Sequence, residues 1–305
     1  MSEFDKRKLI EQVLSKEPLP YINPEVYETK QGLTYLKEPG VAIISIPHVD
    51  LRGAQGFLDG FPKELEFFKY LDDPTPLPPA ETLVKFAGQL CYLSHGPNRT
   101  LNKEAQTYLK NIKESGHGSV LEHSNISILL WGVSRSLTHE LVRHRAGFGF
   151  SQVSQRYVGG RTLRFVERPE YSEDEFLHRL FEDRIENTQH EYEWITNYLY
   201  EKQKEYSGGI LSAEHKTDLR KKVRQSARSL LPNETEAPVV VTGNVRAWRH
   251  FLSMRGSEHA ETEIRRAAFE VYRCLDQVAP ILFEDFEVKV FPDSTNGLFT
   301  PFPKV

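Results

Sequence analysis

Three segments of this 305-residue chain concentrate side chains that hold charge or move protons. The first is Ser115-Gly116-His117-Gly118-Ser119-Val120-Leu121-Glu122-His123. The second is His139-Glu140-Leu141-Val142-Arg143-His144-Arg145, continued by Ser151-Gln152-Val153-Ser154-Gln155-Arg156-Tyr157. The third, Asn244 to His259, carries Arg246, Arg249, His250 and Arg255 among Trp248, Phe251 and Leu252. Arginine dominates two of the three, and its planar fork pairs bidentately with phosphate, so anion binding is the chemistry these residues suit. On a helix Arg143 and Arg145 point roughly 200° apart. They reach two anions around one site only if the helix ends there; on its own, Arg-His-Arg also fits a solvated helix end. Arg246 and His250 are four apart and share a helix face. Trp248, Phe251 and Leu252 read as core, while Arg246, Arg249 and Arg255 each need an anionic partner or water.

Other chemistries fit less well. His117 and His123 are six apart and His139 and His144 five apart, so neither pair has the i, i+4 spacing of a helical metal site. Neighbouring arginines also repel a divalent cation, and no metal is expected. No phosphate-loop, zinc-protease or nucleophile-elbow motif occurs. Gly147-Phe148-Gly149-Phe150 starts like a dinucleotide fingerprint, but it lacks the third glycine and follows a helix. Ser154 has no base spaced to activate it, which makes it a hydrogen-bonding residue rather than a nucleophile. Of the two cysteines, Cys91 lies among apolar neighbours and reads as a buried, inert thiol.

The elements that must position these residues are legible in outline. Residues 1–40 read as an N-terminal extension, and Val41 to Ile46, stopped by Pro47, as a strand. Residues 50–79, rich in glycine and proline, read as an irregular insertion around a short helical segment near Glu64 to Leu71. Helices are expected at about 80–92 and 103–115, and a half-buried strand from Asn125 to Trp131. Val133, Leu137 and Leu141 mark a helix ending near Gly147 and Gly149. A long helix is expected from Glu173 to Tyr206 and another over 215–230, closed by Leu231-Pro232. Val239 to Val241 is ambiguous, 244–255 and 259–276 are helical, and Phe286 to Phe291 alternates like an edge strand. The result is a helix-heavy α/β or α+β chain, one domain spanning about 41–300.

Composition narrows the function. The net charge of −4 disfavours a dedicated nucleic-acid-binding module, the reading that the arginine clusters would otherwise suggest. No apolar run approaches the roughly 20 residues of a membrane helix. The polar start, Met1 to Arg7, shows no secretion signal. Two cysteines give no disulfide framework, and the expected location is the cytoplasm.

Taken together, the three segments resemble the flavin-dependent thymidylate synthases. Arg143-His144-Arg145, eight residues, then Ser154-Gln155-Arg156 is similar to that family's signature. The GHxSxxEH stretch at His117, the ARxxLP stretch at Arg228 and NxRAWRHFxxxR from Asn244 follow the family in order, so the resemblance covers about 80–290. It implies a central, mostly antiparallel sheet and a homotetramer whose sites combine residues from several subunits. It implies FAD held by Arg143, His144, Arg145, Ser119, Gln152, Asn244, Arg246 and His250, with His117 beside the flavin ring and the folate. The nucleotide would be held by Glu140, Arg143, Ser154, Gln155, Arg156 and Arg228, and Arg255 would face the pyrimidine as the catalytic residue. The implied reaction is reductive methylation of dUMP at C5 to dTMP, with methylenetetrahydrofolate as carbon donor and NADPH as reductant. Methylation of another uridine nucleotide, such as UMP, is the alternative within the family. His250, Gln152 and Glu140 stand where some members carry Asn, Glu and Gln.

Overall fold

The computed structural model describes residues 17–206 and 213–305. Its centre is a five-stranded sheet in the order β1 (Tyr21–Ile22), β4 (Gly40–Ser45), β5 (Asn125–Trp131), β8 (Val239–Asn244), β6 (Phe148–Gln152), with every neighbouring pair antiparallel. Alternation explains β5: Ile126, Ile128 and Leu130 are fully buried, while the intervening residues face the less covered side. Val239–Val241, ambiguous as sequence, lies between two strands, where a β-branched run fits a doubly paired position. Strand β6 was not anticipated. Its Phe-Gly-Phe-Ser-Gln sequence follows Gly147 at φ +76, which turns the chain into the strand.

Helices cover one face of this sheet. The core joins Val84 of α1 (Pro79–Cys91), Leu109 and Ile112 of α2 (Ala105–Glu114), and Leu137 and Leu141 of α3 (Arg135–Leu141) to the strands. Beyond the long hairpin of α4 (Glu175–Tyr206) and α5 (Ala213–Ala227), two more helices complete the layer. Trp248, Phe251 and Leu252 come from α6 (Val245–Arg255), and Ile264, Ala268, Val271 and Leu275 from α7 (Thr262–Val278). On the opposite face the hydroxyls of Ser127 and Thr242 bond each other at 2.8 Å in an exposed setting. The architecture is mixed and helix-rich, with an antiparallel central sheet.

The segment expected as an extension pairs with the rest of the chain. Strand β1 joins the sheet edge, and β2 (Val26–Glu28) and β3 (Thr34–Leu36) form a small sheet with β7 (Phe165–Val166). In the 50–79 stretch, two short 3-10 turns, Lys63–Leu65 and Phe67–Asp72, replace a single helical segment because Glu66 adopts φ +51 between them. The late alternating run forms β9 (Glu287–Val290), which pairs only with β10 (Asn296–Phe299).

Two expectations need correction. Helix α3 stops at Leu141, earlier than Gly147, because the amides of Arg143 and His144 fold back onto the carbonyls three residues before them. Cys91 is exposed: its sequence neighbours Leu90, Tyr92 and Leu93 all lie at the surface, so an apolar context did not mean burial. Gly256, which follows α6, has a right-handed backbone at φ −81. It is needed because a Cβ there would stand 2.5 Å from the Leu298 Cβ.

Candidate active site

Early termination of α3 lets Arg143, His144 and Arg145 leave the helix together. His144 turns inward against Phe251, Phe148 and His250, with ring centroids 5.5, 6.5 and 5.7 Å away. Burial, then the Arg255 guanidinium and His250, push its pKa down to about 4. The imidazole is therefore neutral, and its Nε2 accepts a hydrogen bond from Arg255 Nε at 2.9 Å. At the end of α6, Arg255 also donates from Nη1 to Glu140 Oε2 at 2.7 Å and from Nη2 to the Glu140 carbonyl at 3.4 Å. Neither Glu258 nor Glu261, its acidic neighbours in the sequence, pairs with Arg255. Glu261 instead caps α7 and pairs with Arg168.

The other end of α6 borders a cavity of about 550 Å³ lined by Asn244, Arg246, His250, Gly147, Glu122 and the 303–305 segment. Asn244 caps the helix, its Oδ1 accepting from the Ala247 amide at 2.9 Å. Arg246 donates to Glu122 Oε1 at 2.6 Å and lies flat on Gly118, where a Cβ would come 2.8 Å from its Nε. His117 and Ser119 are exposed on this same turn, Gly118–Glu122, and the His117 ring stacks on Tyr92 at 6.3 Å. A second cavity, of about 630 Å³, is lined by Glu140, Gln152, Arg135, Ser136, His139 and Asn233. His250 borders the first cavity and Glu140 the second, and the contacts His250–His144–Arg255–Glu140 form a continuous path between them.

Three of the arginines expected at the site have no partner among the described residues. Arg143, Arg145 and Arg228 are exposed, and their guanidinium groups make no hydrogen bond or ion pair among the described residues. Ser154 Oγ accepts from the Arg156 amide at 3.4 Å and bonds no basic side chain among the described residues. Gln155 Nε2 and Arg156 Nε are buried without a hydrogen-bond partner. Buried donors without partners and unpaired guanidinium groups are what anionic ligands would satisfy, so the residues present fit a phosphorylated nucleotide and a flavin dinucleotide. Arg228 starts a 3-10 turn after α5, four residues beyond Arg224, which bonds the Tyr157 carbonyl.

Arg249 does not belong to the site. It is 1% exposed and bonded to both oxygens of Asp285 and to the carbonyls of Leu282 and Val305. Several cavity residues were not among the candidate site residues: Arg135, Ser136, His139 and Asn233 in the second cavity, Glu122 and Lys304 in the first. Glu122 sits inside the quoted GHxSxxEH stretch and was recognisable there, whereas nothing in the sequence singled out Lys304.

Residues 74–281 match the family described as thymidylate synthase complementing protein. The flavin-dependent thymidylate synthases of Mycobacterium tuberculosis (strain ATCC 25618 / H37Rv) and Mycolicibacterium gilvum (strain PYR-GCK) are each 43% identical to this chain over 219 residues. That alignment covers 72% of this chain and 84% of each relative. The chain belongs to the flavin-dependent thymidylate synthase family. Membership makes it an enzyme of methyl transfer. Among solved structures, the UMP/dUMP methylase PolB from Streptomyces cacaoi, bound with 5-Br dUMP, shares the fold with a TM-score of 0.53 and 18% identity. The match covers 81% of this chain and 94% of PolB.

Proposed function

We propose that this flavin-dependent thymidylate synthase reductively methylates dUMP at C5 to dTMP. FAD is the resident cofactor, methylenetetrahydrofolate the carbon donor and NADPH the reductant, in a cytoplasmic homotetramer. The observation that carries this reading is the path His250–His144–Arg255–Glu140 between two cavities, with the unpartnered Arg143 and Arg145 flanking His144 in the chain. Asn244, Arg246, His250, His117 and Ser119 serve the cofactor side with Arg143, His144, Arg145 and Gln152. Glu140, Ser154, Gln155, Arg156 and Arg228 serve the nucleotide with Arg143.

C5 of uracil must become nucleophilic, and neither cysteine supplies a thiolate to add at C6. Burial pushes the Cys274 thiol up to about 11, and Cys91 bonds the Ala87 carbonyl on α1, lining neither cavity. Arg255 then provides the activation electrostatically, its guanidinium stabilising the negative charge that develops on the pyrimidine ring. Glu140 and the neutral Nε2 of His144 hold the guanidinium plane from two sides, so its orientation is set before substrate arrives. Reduced flavin, when bound, supplies the hydride. Ser154, Gln155, Arg156 and Arg228 act on the phosphate and sugar, holding the ring over Arg255.

The test combines absorbance and turnover. Purified protein should carry flavin absorbance and form dTMP from dUMP, methylenetetrahydrofolate and NADPH, with UMP a much poorer substrate. A flavin-free, inactive protein would overturn the reading; equal turnover of UMP would move it to the broader uridine nucleotide methylase.

A further inference from the structure

The Phe302–Val305 segment lies outside the residues that match the family, 74–281, yet Pro303, Lys304 and Val305 form one wall of the cavity that holds Asn244, Arg246 and His250. Its backbone is anchored on both sides of Lys304. Val305 is buried in the main core, and its carbonyl accepts from Arg249 Nε at 2.9 Å. Arg249 is itself held by Asp285, at 2.7 and 2.8 Å. On the other side Phe302 packs against the same core and donates its amide to Thr300 Oγ1, which in turn donates to the same Asp285. The Val305 amide closes a turn onto the Phe302 carbonyl, and Pro303 restricts the backbone inside it. These anchors give the exposed Lys304 a defined place at the cavity.

Charge distinguishes that place. Arg246 is neutralised by Glu122, and Asn244 spends its side-chain oxygen on the helix cap. Among the described residues that line the cavity, Lys304 is the cation with no anionic partner. A lysine ammonium is a mobile point charge that meets a phosphate well without fixing its orientation.

We propose that Lys304 binds a phosphate of the flavin dinucleotide, extending the cofactor site beyond the matched residues. This rests on the reading of that cavity as the cofactor site. Its test is direct binding, followed by flavin fluorescence on the full chain stripped of flavin, with FAD and riboflavin as separate ligands. Lys304→Ala should raise the Kd for FAD by about fivefold, the worth of one partly screened ion pair. Lys304→Glu should raise it further, riboflavin binding should not change, and the FAD difference should shrink at high salt. Unchanged FAD binding in Lys304→Ala, or equal weakening of FAD and riboflavin, would overturn the proposal. Arg246→Ala separates the two readings. If it weakens flavin binding while Lys304→Ala does not, only the Lys304 assignment falls. If the wild-type chain binds neither flavin, the cofactor reading falls and the Lys304 assignment with it.

Discussion

Arg255 touches the two groups that link the cavities, and removing it tests whether it stabilises charge or only holds its neighbours. Its salt bridge to Glu140 spans 2.7 Å with the arginine side chain 21% exposed, so enough of the guanidinium remains accessible to meet a ligand. Arg255→Ala should lower turnover by roughly 10²–10³, the loss seen when one donor to a developing anion is removed. Lysine should restore only part, because an ammonium cannot serve His144, Glu140 and a ring oxygen together. Single-turnover methylation of dUMP, with flavin occupancy followed by absorbance, separates the roles. A purely structural Arg255 would lose flavin or dUMP affinity, yet turn over normally once loaded. Full activity in the flavin-loaded Ala variant would remove Arg255 from the chemistry.

Among the elements, α6 shows how one helix serves core and site at once. Trp248, Phe251 and Leu252 repeat at helical spacing toward the sheet, while Arg246 and His250 face a cavity and Arg255 leaves the end. Helix α1 has a less comfortable feature. Glu81 in its first turn is fully buried and accepts the Ile281 amide at 2.7 Å. Burial raises its pKa from 4.5 to about 7, with the Ile281 amide opposing the rise. A carboxyl raised on folding binds its proton more tightly in the native state. Its contribution to stability is therefore complete below pH 4.5 and lost as pH rises through 7. Glu81→Gln keeps the acceptor for Ile281 and removes the titration. Relative to wild type, the variant should gain on the order of 2 kcal/mol between pH 5 and pH 8. Thermal melts of both proteins at the two pH values measure it, and parallel pH profiles would show that Glu81 does not titrate as argued.

For the whole molecule, the unpartnered groups point outward. Arg143, Arg145 and Arg228 are exposed, and Trp194 and Tyr198 stack on each other at 5.5 Å on the surface of α4 although they are 63% and 53% exposed. An exposed aromatic pair of that size is a feature of contact surfaces. A site completed by neighbouring copies accounts for both observations. Sedimentation equilibrium should give a mass near four chains, and dilution to monomer should abolish methylation together with flavin retention. A fully active monomer would contradict the assembly.

Much of this protein was legible before any fold was known, and the reason is the range of the forces involved. Periodicity of 3.6 located α1, α2 and α4 to α7 to within a few residues, because side chains on one face of a helix are set by local spacing. The three polar segments contain half of the residues that line the two cavities, since arginine and histidine types carry their chemistry with them. Partner choice was another matter. Arg249 and Arg255 lie six apart on one helix, yet one is sealed against Asp285 and the other bridges Glu140 and His144. Composition treats them alike; only the packing of α3 and of the 282–305 segment against α6 separates them. The same holds for Val239–Val241, whose central place depends on β5 and β6 arriving from distant sequence, and for Lys304, which no motif marks. The sequence determined which residues favour helix, strand, core or anion, because those preferences are local. Tertiary structure decided which cation is neutralised and which faces a cavity, because a buried charge must find its partner wherever the chain brings one.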